Sequence, residues 1–178
     1  MRIVAGTARG RPLVNPRGER TRPTSDKVRA AVFNLLGQFF EGGWVLDLYA
    51  GSGALALEAL SRGCARAVCV EADRAAAEAI LRNARRCGFL ELLSLRRERV
   101  EVALPALAGA GFALAFLDPP YALGPEQALG LLPPTLAAGA RAVAEHDRRR
   151  PPPERLGPLA CVLRRDYGDT GISIYQLE

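Results

Sequence analysis

Histidine and lysine are almost missing from this chain: His146 and Lys27 are the only ones among 178 residues. No chemistry is assigned to His146, which reads as a loop residue following a strand. The four cysteines, Cys64, Cys69, Cys87 and Cys161, show no Cys-x-x-Cys spacing, and each lies in or beside an apolar segment. That argues against a metal site or a disulfide framework and for reduced, structural thiols. Long apolar runs are missing too. Nothing approaches the ~18 consecutive apolar residues of a membrane span, and Met1-Arg2-Ile3-Val4 leads into polar sequence rather than a signal-peptide core. A cytoplasmic protein without membrane contact is expected, and a monomer is the default. Length and an ordinary apolar fraction fit a single folded domain.

Acid is scarce at the amino end. Arg2, Arg9, Arg11, Arg17, Arg20 and Arg22 are offset there only by Glu19, which concentrates much of the net charge of +5. Guanidinium forks pair bidentately with phosphate oxygens, so this density beside so little acid favours a nucleic-acid surface over a solvated tail. Gly6, Gly10, Pro12, Pro16 and Gly18 break residues 1 to 23 into short apolar stretches that suit a small β-hairpin or arm. Thr24-Ser25-Asp26 supplies helix-capping residues. Val28, Ala31, Val32, Leu35 and Leu36 then follow at helical spacing up to Gly37. Residues 1–37 therefore read as an arginine-rich extension and 38–178 as the main domain.

From Trp44 onward strand-like and helix-like segments alternate: a strand over 44–50, a helix over 55–62, a strand over 67–70, and a helix over 74–86. A short strand follows over 92–95 and an apolar strand over 112–117. This order implies parallel βαβ units, an α/β sheet of Rossmann type with helices on both faces. Residues 127–136 read as a helix and 140–144 as a fifth strand, with 148–153 as surface loop. Residues 159–163 and 172–177 suit a terminal hairpin around Tyr167-Gly168-Asp169-Thr170-Gly171, so the sheet is expected to be mostly parallel with its last strand antiparallel.

The strand entering Tyr49-Ala50-Gly51-Ser52-Gly53 ends in a glycine turn and then a helix, a layout that lets backbone approach a ligand closely. Gly51-x-Gly53-x-x-Ala56 formally satisfies a dinucleotide fingerprint. Glu71, with Ala72 beside it at the end of the next strand, is placed to accept hydrogen bonds from a ribose. Those features leave a nicotinamide and an adenosyl cofactor both open. Asp47 separates them, because Asp-x-x-x-Gly-x-Gly resembles the first motif of class I S-adenosylmethionine-dependent methyltransferases. By that resemblance Asp47 lies near the methionine end of S-adenosylmethionine, the 49–53 turn contacts its methionyl part and Glu71 holds its ribose. Glu98, in the basic run Arg96-Arg97-Glu98-Arg99, is the candidate for the adenine amino group, with a surface salt bridge as the other reading.

Phe116-Leu117-Asp118-Pro119-Pro120-Tyr121 ends a buried strand abruptly, because proline cannot continue it. Open α/β sheets bind their ligands at that edge. An aryl amine is a poor nucleophile whose lone pair is delocalised, so catalysis must favour a pyramidal nitrogen. The Asp118 carboxylate and the Pro119 carbonyl can each accept one amine hydrogen, with Pro119 and Pro120 fixing both acceptors. Tyr121 can stack on the base, which implies an unpaired or flipped-out target.

Asp-Pro-Pro-Tyr is similar to the motif of amino methyltransferases acting on adenine, cytosine, guanine or a glutamine amide, and does not choose among them. Arg2-Ile3-Val4-Ala5-Gly6 with Arg9-Gly10-Arg11, Arg22-Pro23-Thr24-x-Asp26-x-Val28-Arg29, Phe33-Asn34-Leu35-Leu36, Glu145-His146 and Tyr167-Gly168-Asp169-Thr170 resemble the RsmD-type 16S ribosomal RNA guanine-N2-methyltransferases. That resemblance covers essentially the whole chain. It implies methylation of the guanine conventionally numbered 966 in 16S rRNA, within an assembled or assembling small subunit. It further implies closure of Arg22, Pro23 and Thr24 over the cofactor and an rRNA-binding arm carrying Arg2, Arg9, Arg11, Arg17 and Arg20. No metal is implied. A DNA adenine-N6 methyltransferase would share the centre but is expected to carry a target-recognition domain. A non-catalytic assembly factor is expected to have lost the acid or prolines of 118–120, and nothing here resembles the hydride-transfer residues of an oxidoreductase.

Overall fold

The computed structural model describes residues 1–16, 26–120 and 122–178. Among the described residues eight strands form one sheet in the order β3-β2-β1-β4-β5-β8-β7-β6. They are β1 (Trp44–Leu48), β2 (Arg66–Val70), β3 (Leu93–Arg96), β4 (Phe112–Leu117), β5 (Leu136–Asp147), β6 (Arg155–Leu156), β7 (Leu159–Tyr167) and β8 (Thr170–Leu177). Strands β3, β2, β1, β4 and β5 pair in parallel. Strand β8 lies antiparallel to β5, and β7 and β6 continue antiparallel to the edge. The Rossmann-like expectation is met, with the terminal hairpin lengthened by β6.

Helices α1 (Asp26–Leu36), α2 (Ala54–Ser61) and α3 (Arg74–Cys87) cover one face, and α4 (Val100–Ala106) and α5 (Glu126–Leu131) the other. Strand β1 shows how one pentapeptide serves both: Val45 packs with Phe33, Leu57 and Phe116 on the first face, Leu46 and Leu48 with Leu104 and Leu117 on the second. A strand buried on both faces has to be almost wholly apolar, which isolates Asp47, only 1% exposed, as the exception in this one. Helix α3 has Asp73 as its N-cap, accepting from the Ala76 N–H at 2.8 Å, and ends at Gly88 with φ 77°.

The amino-terminal segment is a narrow antiparallel turn. Arg2 bridges Pro12, and the Ile3 N–H donates to the Arg11 carbonyl at 3.0 Å. It packs against the domain rather than standing off it: Ile3, Ala8 and Leu13 are buried in the same cluster as α1, α2 and α3. Side chains of α1, α2 and α3 hold it: Ser61 accepts from the Ala8 N–H at 2.9 Å and donates to the Ala5 carbonyl at 2.6 Å, and Arg29 donates to the Arg2 carbonyl. The Glu58 carboxylate of α2 accepts from the Val4 and Ala5 N–H groups at 2.9 and 3.0 Å. Asn83 of α3 accepts from the Val14 N–H at 2.8 Å and donates to the Val14 carbonyl at 2.9 Å.

Several sequence boundaries move. Helix α4 was not anticipated, because Pro105 and two valines disguise a helical turn. The helix expected over 127–136 stops at Leu131, and Pro133–Thr135 form a 3₁₀ turn, since neither proline can donate to an α-helical ladder. Strand β5 runs on to Asp147, so His146 lies within a strand and not in a loop. It is 3% exposed and its Nε2 lies 2.9 Å from the Ser173 Oγ on β8. All four cysteines are free. Burial pushes the Cys64 thiol up to about 11 and raises Cys69 as well, which suits unreactive structural thiols.

Candidate active site

The carboxyl ends of β1, β2 and β4 are neighbours in the sheet, and their next residues are stitched together. The Ala50 N–H donates to the Val70 carbonyl at 3.1 Å, and the Asp118 N–H reaches the Leu48 carbonyl at 3.5 Å. The two halves of the site read from the sequence, the glycine turn and the Asp-Pro-Pro run, thus meet at one edge. The turn between β1 and α2 is made by left-handed residues, Tyr49 at φ 60°, Gly51 at 55° and Gly53 at 75°. Tyr49 is the only residue other than glycine with positive φ among the described residues. Such a conformation costs a bulky L-residue about 1 to 2 kcal/mol, and strain of this kind concentrates where ligands bind. A Cβ on Gly53 would lie 3.3 Å from Ile80, whereas one on Gly51 would meet nothing within 4 Å. Gly51 therefore faces open space, where a ligand can lie on its backbone.

Helix α2 has no side-chain cap of its own at Gly53. Asp47 supplies one from the strand, its Oδ2 accepting from the Ala56 N–H at 3.0 Å. Burial pushes the Asp47 carboxyl well above the usual carboxylate range; the Ala56 N–H pulls it back, and Asp118 and Glu71 push it up further. Glu71 is oriented by backbone on both oxygens, Oε2 by the Gly51 N–H at 2.9 Å and Oε1 by the Asp73 N–H at 2.8 Å. Three carboxylates from three adjacent strand ends therefore share one field. A ligand carrying a sulfonium and an ammonium relieves that repulsion, which fits the donor set to S-adenosylmethionine. Among the described residues no cluster of histidine, cysteine and acid is arranged to hold a metal ion.

The other expected residues fall as follows. Ala50 is buried and Ser52 half-buried in the turn, with the Ser52 carbonyl accepting from Asn83 Nδ2 at 2.9 Å. Ala72 is exposed beside Glu71. Glu98 follows β3, half-buried and paired with Arg96. Pro119 is buried and Pro120 exposed, the Pro120 carbonyl closing a turn with the Leu123 N–H at 2.8 Å. Arg9 and Arg11 are exposed on the amino-terminal turn, and the exposed Arg2 offers its carbonyl to the Arg29 guanidinium. Arg17, Arg20, Arg22, Pro23, Thr24 and Tyr121 lie outside the described residues. A pocket of ≈ 150 Å³ opens beside Pro119, lined by Leu123, Glu126, Glu145, His146 and Arg150 among others.

Sequence reading missed the side chains that brace the turn. Asn83 is fully buried and links the amino-terminal segment to the Ser52 carbonyl. Glu58 is fully buried with Arg29 and Arg62, at 3.4 and 2.8 Å. The signal for Glu58 was present: it is the only charged residue in the otherwise apolar helix Ala-Leu-Ala-Leu-Glu-Ala-Leu-Ser.

A doubly covered, mostly parallel sheet with a glycine turn after its first strand, an acid at the second strand end and Asp-Pro-Pro at the fourth defines a class I S-adenosylmethionine-dependent methyltransferase. Within that class, the chain belongs to the family described as conserved hypothetical protein 95, whose model matches residues 1–176. It is 40% identical to YlbH of Bacillus subtilis, named as a proposed rRNA methyltransferase, over 99% of this chain and 98% of that one. It is 38% identical to ribosomal RNA small subunit methyltransferase D of Escherichia coli, over 70% of this chain and 62% of the relative. Among solved structures, a proposed Escherichia coli methyltransferase, YhhF, superposes with a TM-score of 0.84 at 31% identity, covering 100% of this chain and 98% of that one.

Proposed function

We propose that the protein transfers a methyl group from S-adenosylmethionine to the exocyclic N2 amine of a guanine in 16S rRNA, in an assembled or assembling small subunit, and that it acts as a cytoplasmic monomer. The observation that carries the reading is the meeting of the Gly51 turn, Asp47 and Asp118 at one sheet edge. The rRNA substrate is supported by the names of the relatives at 40% and 38% identity.

Asp47 and the 49–53 turn hold the methionyl end of the cofactor, Glu71 with Ala72 the ribose, and Glu98 the adenine amine once released from Arg96. Arg22, Pro23 and Thr24 close over it. The cofactor supplies an electrophilic methyl on a sulfonium, a good leaving group. Asp118 and the Pro119 carbonyl each accept one hydrogen of the guanine amine, so that its lone pair points at the methyl carbon. The alkylated nitrogen is acidic and gives up its proton to Asp118 or to water. Pro119 and Pro120 keep the two acceptors from turning away, and Tyr121 stacks on the base. Arg2, Arg9, Arg11, Arg17 and Arg20 hold phosphates, residues 1–37 serving as the rRNA-binding extension of the 38–178 methyltransferase domain.

The test is incubation of the protein with labelled S-adenosylmethionine and undermethylated small subunits, free rRNA or DNA, followed by nucleoside analysis. N2-methylguanosine in rRNA is expected. N6-methyladenosine, or label in DNA alone, overturns the reading.

A further inference from the structure

We infer that the rRNA-binding surface continues from the amino-terminal turn onto the exposed face of α3, with Arg82, Arg85 and Arg86 as phosphate contacts. This rests on the proposed role of the turn in holding rRNA. Helix α3 carries four arginines and one acid, and that acid, Glu78, is taken by Arg74 at 3.0 Å. Arg82, Arg85 and Arg86 lie three and four residues apart, hence on one side of the helix. All three are exposed, as are Arg9 and Arg11, and among the described residues none of these five forms a salt bridge.

The turn is seated against this helix. Val14 makes two hydrogen bonds with Asn83, and Leu13 packs in the same cluster as Ile80 and Ala84. The Arg11 charge acts on the Cys87 thiol at the end of this helix, pulling its pKa down against the effect of burial. Two basic segments distant in sequence thus form one surface. A helix C-terminus stabilises cations in its last turn, which accounts for Arg85 and Arg86 but not for Arg82, a turn earlier. Like charges at this spacing repel one another, and a polyanion backbone removes that repulsion while releasing its own counterions.

The test measures binding of the full chain to an unmodified small-subunit rRNA transcript over a range of salt concentrations. Each phosphate contact adds roughly 0.7 to 0.9 to the slope of log affinity against log salt. The R82Q/R85Q/R86Q protein is expected to lose about 2 from that slope, with cofactor affinity unchanged. R82K/R85K/R86K keeps the charge and is expected to keep the slope. An unchanged slope in the glutamine triple, while R9Q/R11Q lowers it, overturns the α3 surface and leaves the turn's role standing. Unchanged slopes in both overturn both. An equal loss in the lysine triple also overturns the inference, because charge would not be the cause.

Discussion

Replacing Glu58 by glutamine tests how the amino-terminal segment is fastened to the helix that follows the glycine turn. In the native protein one buried carboxylate receives three donors, the Val4 and Ala5 N–H groups and Arg62 Nε at 2.8 Å, and Arg29 Nε lies 3.4 Å away. The Arg29 contact is an ion pair without hydrogen-bond geometry, since Arg29 Nε and Nη1 have no hydrogen-bond partner. Charge is therefore the main way Glu58 acts on that guanidinium, which is fully buried and also pairs with Asp26 at 2.9 Å, whereas the buried Arg62 is paired with Glu58. A glutamine of the same shape has one acceptor oxygen and turns an NH₂ toward the donors. Removing one partner of a buried pair costs about 3 to 5 kcal/mol, because the remaining charge stays buried. For a domain of this size each kcal/mol lowers Tm by roughly 2 to 4 °C. Glu58→Gln is thus expected to lower Tm by about 6 to 20 °C in a thermal melt followed by circular dichroism. Hydrogen exchange at Val4 and Ala5 should rise with it. A Tm within about 2 °C of wild type, below what 1 kcal/mol would give, would refute the argument that this network is held by charge.

Asp47→Asn keeps an acceptor for the Ala56 N–H and removes a charge that burial opposes. Cofactor affinity should fall about ten- to a hundredfold, equivalent to about 1.4 to 2.8 kcal/mol, in a calorimetric titration. Stability should move the other way. Because the folded pKa of Asp47 is raised, its favourable contribution is present below the unfolded value and is lost as pH rises through the folded one. Urea unfolding should show the variant gaining on wild type as pH increases from about 4 to about 8; a gap independent of pH would contradict this. Asn83→Ala leaves the Val14 backbone groups and the Ser52 carbonyl without their partner. It should cost about 1 to 3 kcal/mol, hasten proteolysis near Val14 and weaken cofactor binding several-fold. Proteolysis at the wild-type rate would show that Asn83 does not fasten the segment.

The features that make up the candidate site were more legible in the sequence than the packing. The turn over 49–53, Asp47, Glu71 and the break at Asp118 could be read because each violates what its element should contain: an acid in an apolar strand, glycines at a strand end, prolines where a strand must stop. Their convergence followed from parallel order alone, since parallel strands bring their carboxyl ends to one edge. The bracing was harder to read. Glu58 and Asn83 meet the amino-terminal segment across 53 or more residues of chain, and local patterning carries no information about such pairs. His146 was misplaced because strand β5 continues through Glu145, His146 and Asp147 by pairing with β8 beyond the end of its β4 pairing at Ala144, where tertiary pairing overrides the local alternation that marks strand ends. Helix α4 was missed because Pro105 sits late enough in it to be tolerated while still breaking the apparent helical pattern.

The central claim is that Asp118 acts on the amine and not on the cofactor. The direct measurement compares wild type and Asp118→Ala for S-adenosylmethionine affinity and for single-turnover methyl transfer to undermethylated small-subunit rRNA. The account predicts affinity within a few-fold of wild type and a rate lower by about 10² to 10³, the loss typical when one preorganised hydrogen-bonding group is removed from a reaction centre. Methyl transfer at a near wild-type rate in the Asp118→Ala protein would contradict it.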